Sequence, residues 1–345
     1  MSREAQISVR PARYDSDARA MVAVLQANLP YRPHDRFFRW LYRENPEGEA
    51  LAWVASAPSD ERIVGMAAAF PKRISCDGVE ARGYLLGDFC IDPEYRSLGL
   101  ALRLQRACLD GVSAANADFA FDFPSRGMMA VYSRLRIAVT QTIVRYVKPL
   151  RLDRQVSARI GVRALATGVA AAANACLALG DSIARPSARW TVGCEPAPWG
   201  TEFDASRNWS PPRAVSLSRT ARYLNWRYGE HPAGRYEMLV ARRAGRLGGY
   251  LVRHGNGAAC VIDDLLAEDD SASDALLAAV VSRARTEGAD IVSAPWLAAD
   301  SGSRLLRQRG FRARESSPAL LLPFERPGIG PTSATRYLSH GDWEL

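Results

Sequence analysis

Gly83–Gly111, GYLLGDFCIDPEYRSLGLALRLQRACLDG, decides the reading of this chain. It falls into three parts. Tyr84 to Ile91 is apolar with few breaks and is bounded by Gly83 and Pro93, the composition of a buried strand. Arg96 to Ala101 (RSLGLA) is a short loop with a basic first residue and one glycine. From Leu98 to Leu109, apolar residues recur near helical spacing, with Arg103 and Arg106 on the other side and Arg103 reading as solvent-facing. Strand, glycine-containing loop and helix bring backbone N–H groups and the positive end of a helix dipole to one place, a cradle for an anion.

The flanking segments set the fold class. Upstream, Ile7–Arg10 alternates as a strand, and Asp17 to Asn28 carries a helical apolar face that Pro30 and Pro33 end. Ala50–Ala55 and Ile63–Phe70 are two strands around a polar turn. Downstream, Asp118–Phe123 (DFAFDF) alternates as a strand, Met128–Leu135 is a short helix containing Tyr132, and Ile143–Val147 is a strand. Strand, helix, three strands, loop–helix, strand, helix, strand is an α/β layout around one mixed sheet.

A chain of 345 residues with 48% hydrophobic and 24% charged content suffices for two cores. The net charge of +8 comes mainly from arginine, whose planar fork suits phosphate and carboxylate. No dense basic cluster with interleaved aromatics argues for nucleic acid. Six cysteines and four histidines are scattered without metal-ligand spacing, so no metal is expected. The N-terminal residues lack an apolar signal core, and the expectation is a reducing cytoplasm.

The second half repeats the first. Trp40–Gly48 (WLYRENPEG) and Trp226–Gly234 (WRYGEHPAG) share Trp, Tyr, Glu, Pro and Gly without a gap, and Val54-Ala55 falls on Val240-Ala241. This long period indicates a duplicated domain. In the second copy the loop after the strand carries Glu268, Asp269, Asp270 and Asp274, which would repel a pyrophosphate. The expected organisation is a first domain over 1–150, a helical linker over 151–200 and a degenerate second domain over 201–345. Within the linker, Ala164–Gly180 carries no charge and is mostly alanine, short of a strongly apolar membrane span. It reads as a helix packed between domains, with peripheral membrane contact through 159–183 as the other reading.

At PEYRSLGLA the chain resembles the Gcn5-related N-acetyltransferase (GNAT) superfamily, whose signature is a strand, Arg/Gln-x-x-Gly-x-Gly/Ala and a helix; Arg96, Gly99 and Ala101 fill its slots. The resemblance implies two GNAT-like domains, the second decayed, and an acyl group moved from acetyl-CoA or another acyl-CoA to an amine. By the same resemblance, Arg96, Ser97, Leu98, Gly99, Leu100 and Ala101 hold the pyrophosphate, and the backbone of Phe89, Cys90 and Ile91 polarises the thioester carbonyl. Asp88, in an otherwise apolar strand, is the first candidate base, with Asp122 in reserve; a structural, hydrogen-bonded Asp88 is the alternative. Tyr132 sits where the family has Tyr-x-x-x-Gly-Phe and is the candidate acid or a core tyrosine, with Arg136-Ile137 replacing Gly-Phe. The expected acceptor is an amino group on a small molecule or an amino-sugar or polysaccharide precursor. A scaffold that has lost turnover and an aminoacyl-tRNA-dependent transferase are the other classes; the RSLGLA loop argues against the latter. The sequence leaves the oligomeric state open.

Overall fold

The computed structural model describes residues 7–324, apart from breaks at 31–32, 59–60, 77–78, 140, 162, 184–188, 210–213, 235, 256 and 298–300, together with residues 335–337. The expected turn at 59–60 lies outside the described residues. The chain forms two compact units: residues 1–142 with 317–334 and 345, and residues 143–316 with 335–344.

The first unit opens with β1 (Ser8–Pro11), α1 (Tyr14–Asn28) and α2 (Asp35–Tyr42), followed by β2 (Leu51–Ser56), β3 (Ile63–Cys76) and β4 (Val79–Ile91). Next come α3 (Leu98–Ala114), β5 (Phe119–Asp122) and α4 (Arg126–Arg134). Strands β1 to β4 form an antiparallel run, and β5 joins β4 in parallel. A parallel partner needs a crossover, and α3 supplies it. Its apolar face, with Leu100, Leu104, Cys108 and Val112 buried, packs in a core with Trp53, Val64, Ala69 and Leu86 of the sheet. At Gly111 a Cβ would stand 1.8 Å from Trp53 Cζ2, so only glycine permits this approach of helix to sheet.

The second unit contains β6 (Gln141–Pro149, from Ile143 onward), α5 (Asp153–Ser157), α6 (Arg163–Ile183), β7 (Thr191–Glu195), β8 (Ala214–Leu217) and α7 (Ala221–Leu224), which a π turn extends over Asn225–Gly229. Then follow β9 (Glu237–Arg243), β10 (Arg246–Gly255), β11 (Ala259–Ala267), α8 (Asp270–Thr286), β12 (Ile291–Leu297), α9 (Ser301–Gln308) and β13 (Arg312–Pro323). A short β14 (Thr335–Tyr337) pairs with β8. The order β9–β10–β11–α8–β12–α9–β13 repeats β2–β3–β4–α3–β5–α4–β6, and β11 pairs with β12 in parallel as β4 does with β5.

The copies exchange their last strands. In the first unit the strand antiparallel to β5 is the end of β13, Leu320–Pro323; in the second, β6 lies antiparallel to β12. The expected cut at residue 150 therefore differs from the observed one at 142. Ile143–Val147 reads correctly as a strand, but its sequence says nothing about which sheet accepts it. The segment 151–200 likewise belongs to the second unit, where β7 is an edge strand on β9. Helix α6 is not packed away: of the residues from Ala164 to Asp181, only 11% are buried.

Candidate active site

The parallel register of β4 on β5 covers Gly83–Leu85 against Phe119–Phe121. Strand β4 continues to Ile91, and its Phe89, Cys90 and Ile91 line one side of a cleft of about 570 Å³. Ser125, Gly127, Met128 and Val131, at the start of α4 and its cap, line the cleft as well. Arg96, Ser97, Leu98 and Ala101 line it at the start of α3, and Asn28 and Leu29 at the end of α1. Of the nine residues expected to hold the coenzyme, seven line this one cleft; Gly99 and Leu100 lie between them in the first turn of α3.

A β-bulge aims this part of β4. Met66 faces Cys90 and Ala68 faces Gly87, so Asp88 and Phe89 together oppose Ala67 alone. Asp88 takes the left-handed conformation, φ +49°, which Asp tolerates better than most residues. Its carboxylate is buried and accepts a hydrogen bond of 2.5 Å from the Tyr42 hydroxyl. Tyr42 is itself fixed, stacked on Phe38 with ring centroids 4.1 Å apart and edge-on to Phe70. The sequence reading missed Tyr42 as the partner of Asp88, although Tyr42 lies inside the repeated Trp40–Gly48 wording.

The start of α3, the expected anion cradle, has a neutral cap. Ser97 is the N-cap of α3, its Oγ accepting from Leu100 N at 3.1 Å, and the first turn carries no acid. The first N–H groups of a helix lack intrahelical acceptors and point toward its N-terminal end. Arg96 lines the cleft and also ties its loop down. Its Nε donates to Ile91 O at 2.9 Å and its Nη2 to Asn28 Oδ1 at 3.4 Å, tying the loop to the end of β4 and of α1. Arg103, expected to face water, donates to Ile7 O at 2.6 Å.

Tyr132 is fully buried. Its hydroxyl donates to Asp122 Oδ2 at 2.5 Å and accepts from Gln105 Nε2 at 3.1 Å, so it bridges α4, β5 and α3. Burial raises the Asp122 carboxyl from 3.8 to about 7, against the lowering effect of the Tyr132 hydrogen bond. Burial likewise pushes the Cys90 thiol up to about 12, which keeps it a neutral wall of the cleft. Asp88 and Asp122 thus belong to separate hydrogen-bonded pairs.

The second unit has the same parts with the site features replaced. Helix α8 is capped by a carboxylate: Asp269 accepts from Ala272 N at 2.8 Å, so the helix end already holds a negative charge. Asp264 stands three residues before the end of β11, as Asp88 does in β4, but it pairs with buried Arg219 at 2.7 Å. The register shift in this strand falls at Asp263. The helix end after the fifth strand is shared: Ile137 N bonds to Tyr132 O, and Phe311 N to Leu306 O. The left-handed residue is Arg136 (φ +58°) in the first and Gly310 (φ +83°) in the second, so Leu306 stands where the first copy has Tyr132.

Residues 8–135 match the acetyltransferase (GNAT) domain family. No curated protein matches the sequence significantly. Among solved structures, a GCN5-related N-acetyltransferase from Anabaena variabilis is similar at TM-score 0.66 and 13% identity, over 91% of this chain and 72% of that one. A GCN5-related N-acetyltransferase from Kribbella flavida is similar at TM-score 0.59 and 15% identity, over 93% and 72%. The Saccharomyces cerevisiae N-myristoyltransferase, solved with myristoyl-CoA, is similar at TM-score 0.61 and 11% identity, over 99% and 89%. At these identities the likeness is one of fold.

Proposed function

We propose that this chain, whose residues 8–135 match the GNAT acetyltransferase domain family, moves an acyl group, acetyl in the simplest case, from acyl-CoA to an amino group of a small molecule or amino-sugar precursor. One observation carries the reading: the bulged end of β4 and the serine-capped, acid-free start of α3 line the same cleft. In this scheme the pyrophosphate meets the first N–H groups of α3, and the pantetheine arm runs along Phe89–Ile91. A strand N–H there polarises the thioester carbonyl. The amine gives its proton to Asp88, directly or through water or Tyr42. Its nitrogen then bonds to the carbonyl carbon, and the carbon–sulfur bond breaks with its electron pair going to sulfur. A thiol with an ordinary pKa of about 8.5 leaves readily as thiolate and takes its proton from water. Tyr132, sealed between Asp122 and Gln105, is assigned a positioning role.

The test is thiol release from acetyl-CoA with a panel of amines and amino sugars. Turnover with an amino sugar, lost in Asp88→Asn, is the expected result. Coenzyme binding without turnover on any amine would favour a scaffold, and transfer only from aminoacyl-tRNA would overturn the acyl-CoA assignment.

A further inference from the structure

Helix α6 presents an apolar surface that the fold leaves uncovered. Three of the five exposed large apolar side chains among the described residues lie on it: Leu165 (62% exposed), Val169 (48%) and Leu179 (62%). With Ala172 and Cys176, also exposed, they form a stripe at spacings of four, three, four and three residues. The opposite side holds the helix to its own unit. Ala166 and Ala170 are buried, and Asn174 accepts from Leu152 N and donates to Asp153. Asp181 pairs with Lys148 and Arg285, each at 2.6 Å.

Charge is arranged around this stripe rather than on it. Between Asp153 and Glu195 the sequence has five arginines, at 154, 159, 163, 185 and 189, and one acid, Asp181, whose charge those two cations meet; of the five, Arg154 is paired with Asp290 at 3.3 Å. The helix is therefore uncharged from Ala164 to Gly180 and basic beyond both ends. We infer that α6 docks this protein on an anionic lipid surface, lying in the interface with Leu165, Val169 and Leu179 among the acyl chains and the basic segment before the helix, with Arg159 and Arg163, toward the headgroups. Length and composition alone would let the helix span a bilayer, but its ties through Asn174 and Asp181 hold it along the unit. A second copy of the chain is the less suited occupant. A coiled-coil seam is normally flanked by charged positions that set the partner, and here the flanking Gly168, Ala175 and Gly180 carry none.

The experiment is co-sedimentation of the full chain with phosphatidylcholine vesicles, with and without phosphatidylglycerol. Binding is expected to need the anionic lipid and to weaken with salt. Leu165→Glu with Leu179→Glu should weaken it by at least about tenfold, given the transfer free energy of a leucine side chain. Arg159→Glu with Arg163→Glu should bring it to the level on neutral vesicles. Melting temperatures of the variants should stay at the wild-type value, since the substituted leucines are exposed. Failure of the wild-type chain to sediment with anionic vesicles would overturn the inference. So would a dimer in solution that the leucine substitutions dissolve while vesicle binding is unchanged.

Discussion

Asp88 is a buried carboxylate and Asp122 a half-buried one, and their surroundings give them different work. Asp122 holds its proton up to about pH 7 in the folded chain, against 3.8 as its ordinary value. The folded state therefore binds a proton that the unfolded state releases, and stability from this group is full below about pH 4 and falls as pH rises to about 7. At about 1.4 kcal/mol per unit, the loss is at most a few kcal/mol. Asp122→Asn keeps an oxygen for Tyr132 and cannot ionise; its melting temperature should exceed the wild-type value at pH 8 and change less between pH 5 and pH 8. In the proposed reaction Asp88→Asn should lower kcat by a factor of about 10² or more. Tyr42→Phe should shift the pH–rate profile, and Tyr132→Phe should leave kcat within a few-fold. Arg136 stands in a left-handed turn that glycine fills in the second copy. Arg136→Gly should leave stability equal or raise it by about 0.5–1 kcal/mol in denaturant titrations. The carboxylates are legible from composition, as acids in apolar strands; the Tyr42 partner of Asp88 is not, because it comes from a sequence-distant helix.

At the scale of elements, the two units differ at the helix that follows the central strand: α3 begins at a serine and α8 at an aspartate. RSLGLA and the acidic run at 268–270 carry this contrast in the sequence, so it can be read without a structure. The bulge at Asp88 cannot. It is a matter of register between β3 and β4, and both strands keep their apolar character through it. The close approach of α3 to Trp53 is equally silent, since Gly111 reads as a helix terminator until the helix is seen to continue to Ala114. Gly111→Ala should destabilise the chain by about 1–3 kcal/mol, the usual cost of overpacking, as measured by chemical denaturation.

For the whole molecule, the repeated Trp-x-Tyr wording is the signal in the sequence for two similarly ordered halves, while the exchange of final strands lies beyond what periodicity encodes. β6 and β13 are both plausible partners for either sheet, and the choice rests on packing over long sequence separations. A fragment ending at residue 150 would lack Leu320–Pro323 and leave the edge of β5 unpaired. It should aggregate or melt well below the intact chain. The central claim is that the intact chain binds one acyl-CoA, at the start of α3. Calorimetric titration of acetyl-CoA into the full-length protein and into Gly99→Glu tests it most directly, because a carboxylate in the first turn of α3 repels the pyrophosphate while Asp269 already guards α8. One site per chain, lost in Gly99→Glu with the melting temperature unchanged, is the predicted result. Two sites, no binding, or undiminished binding by Gly99→Glu would contradict it.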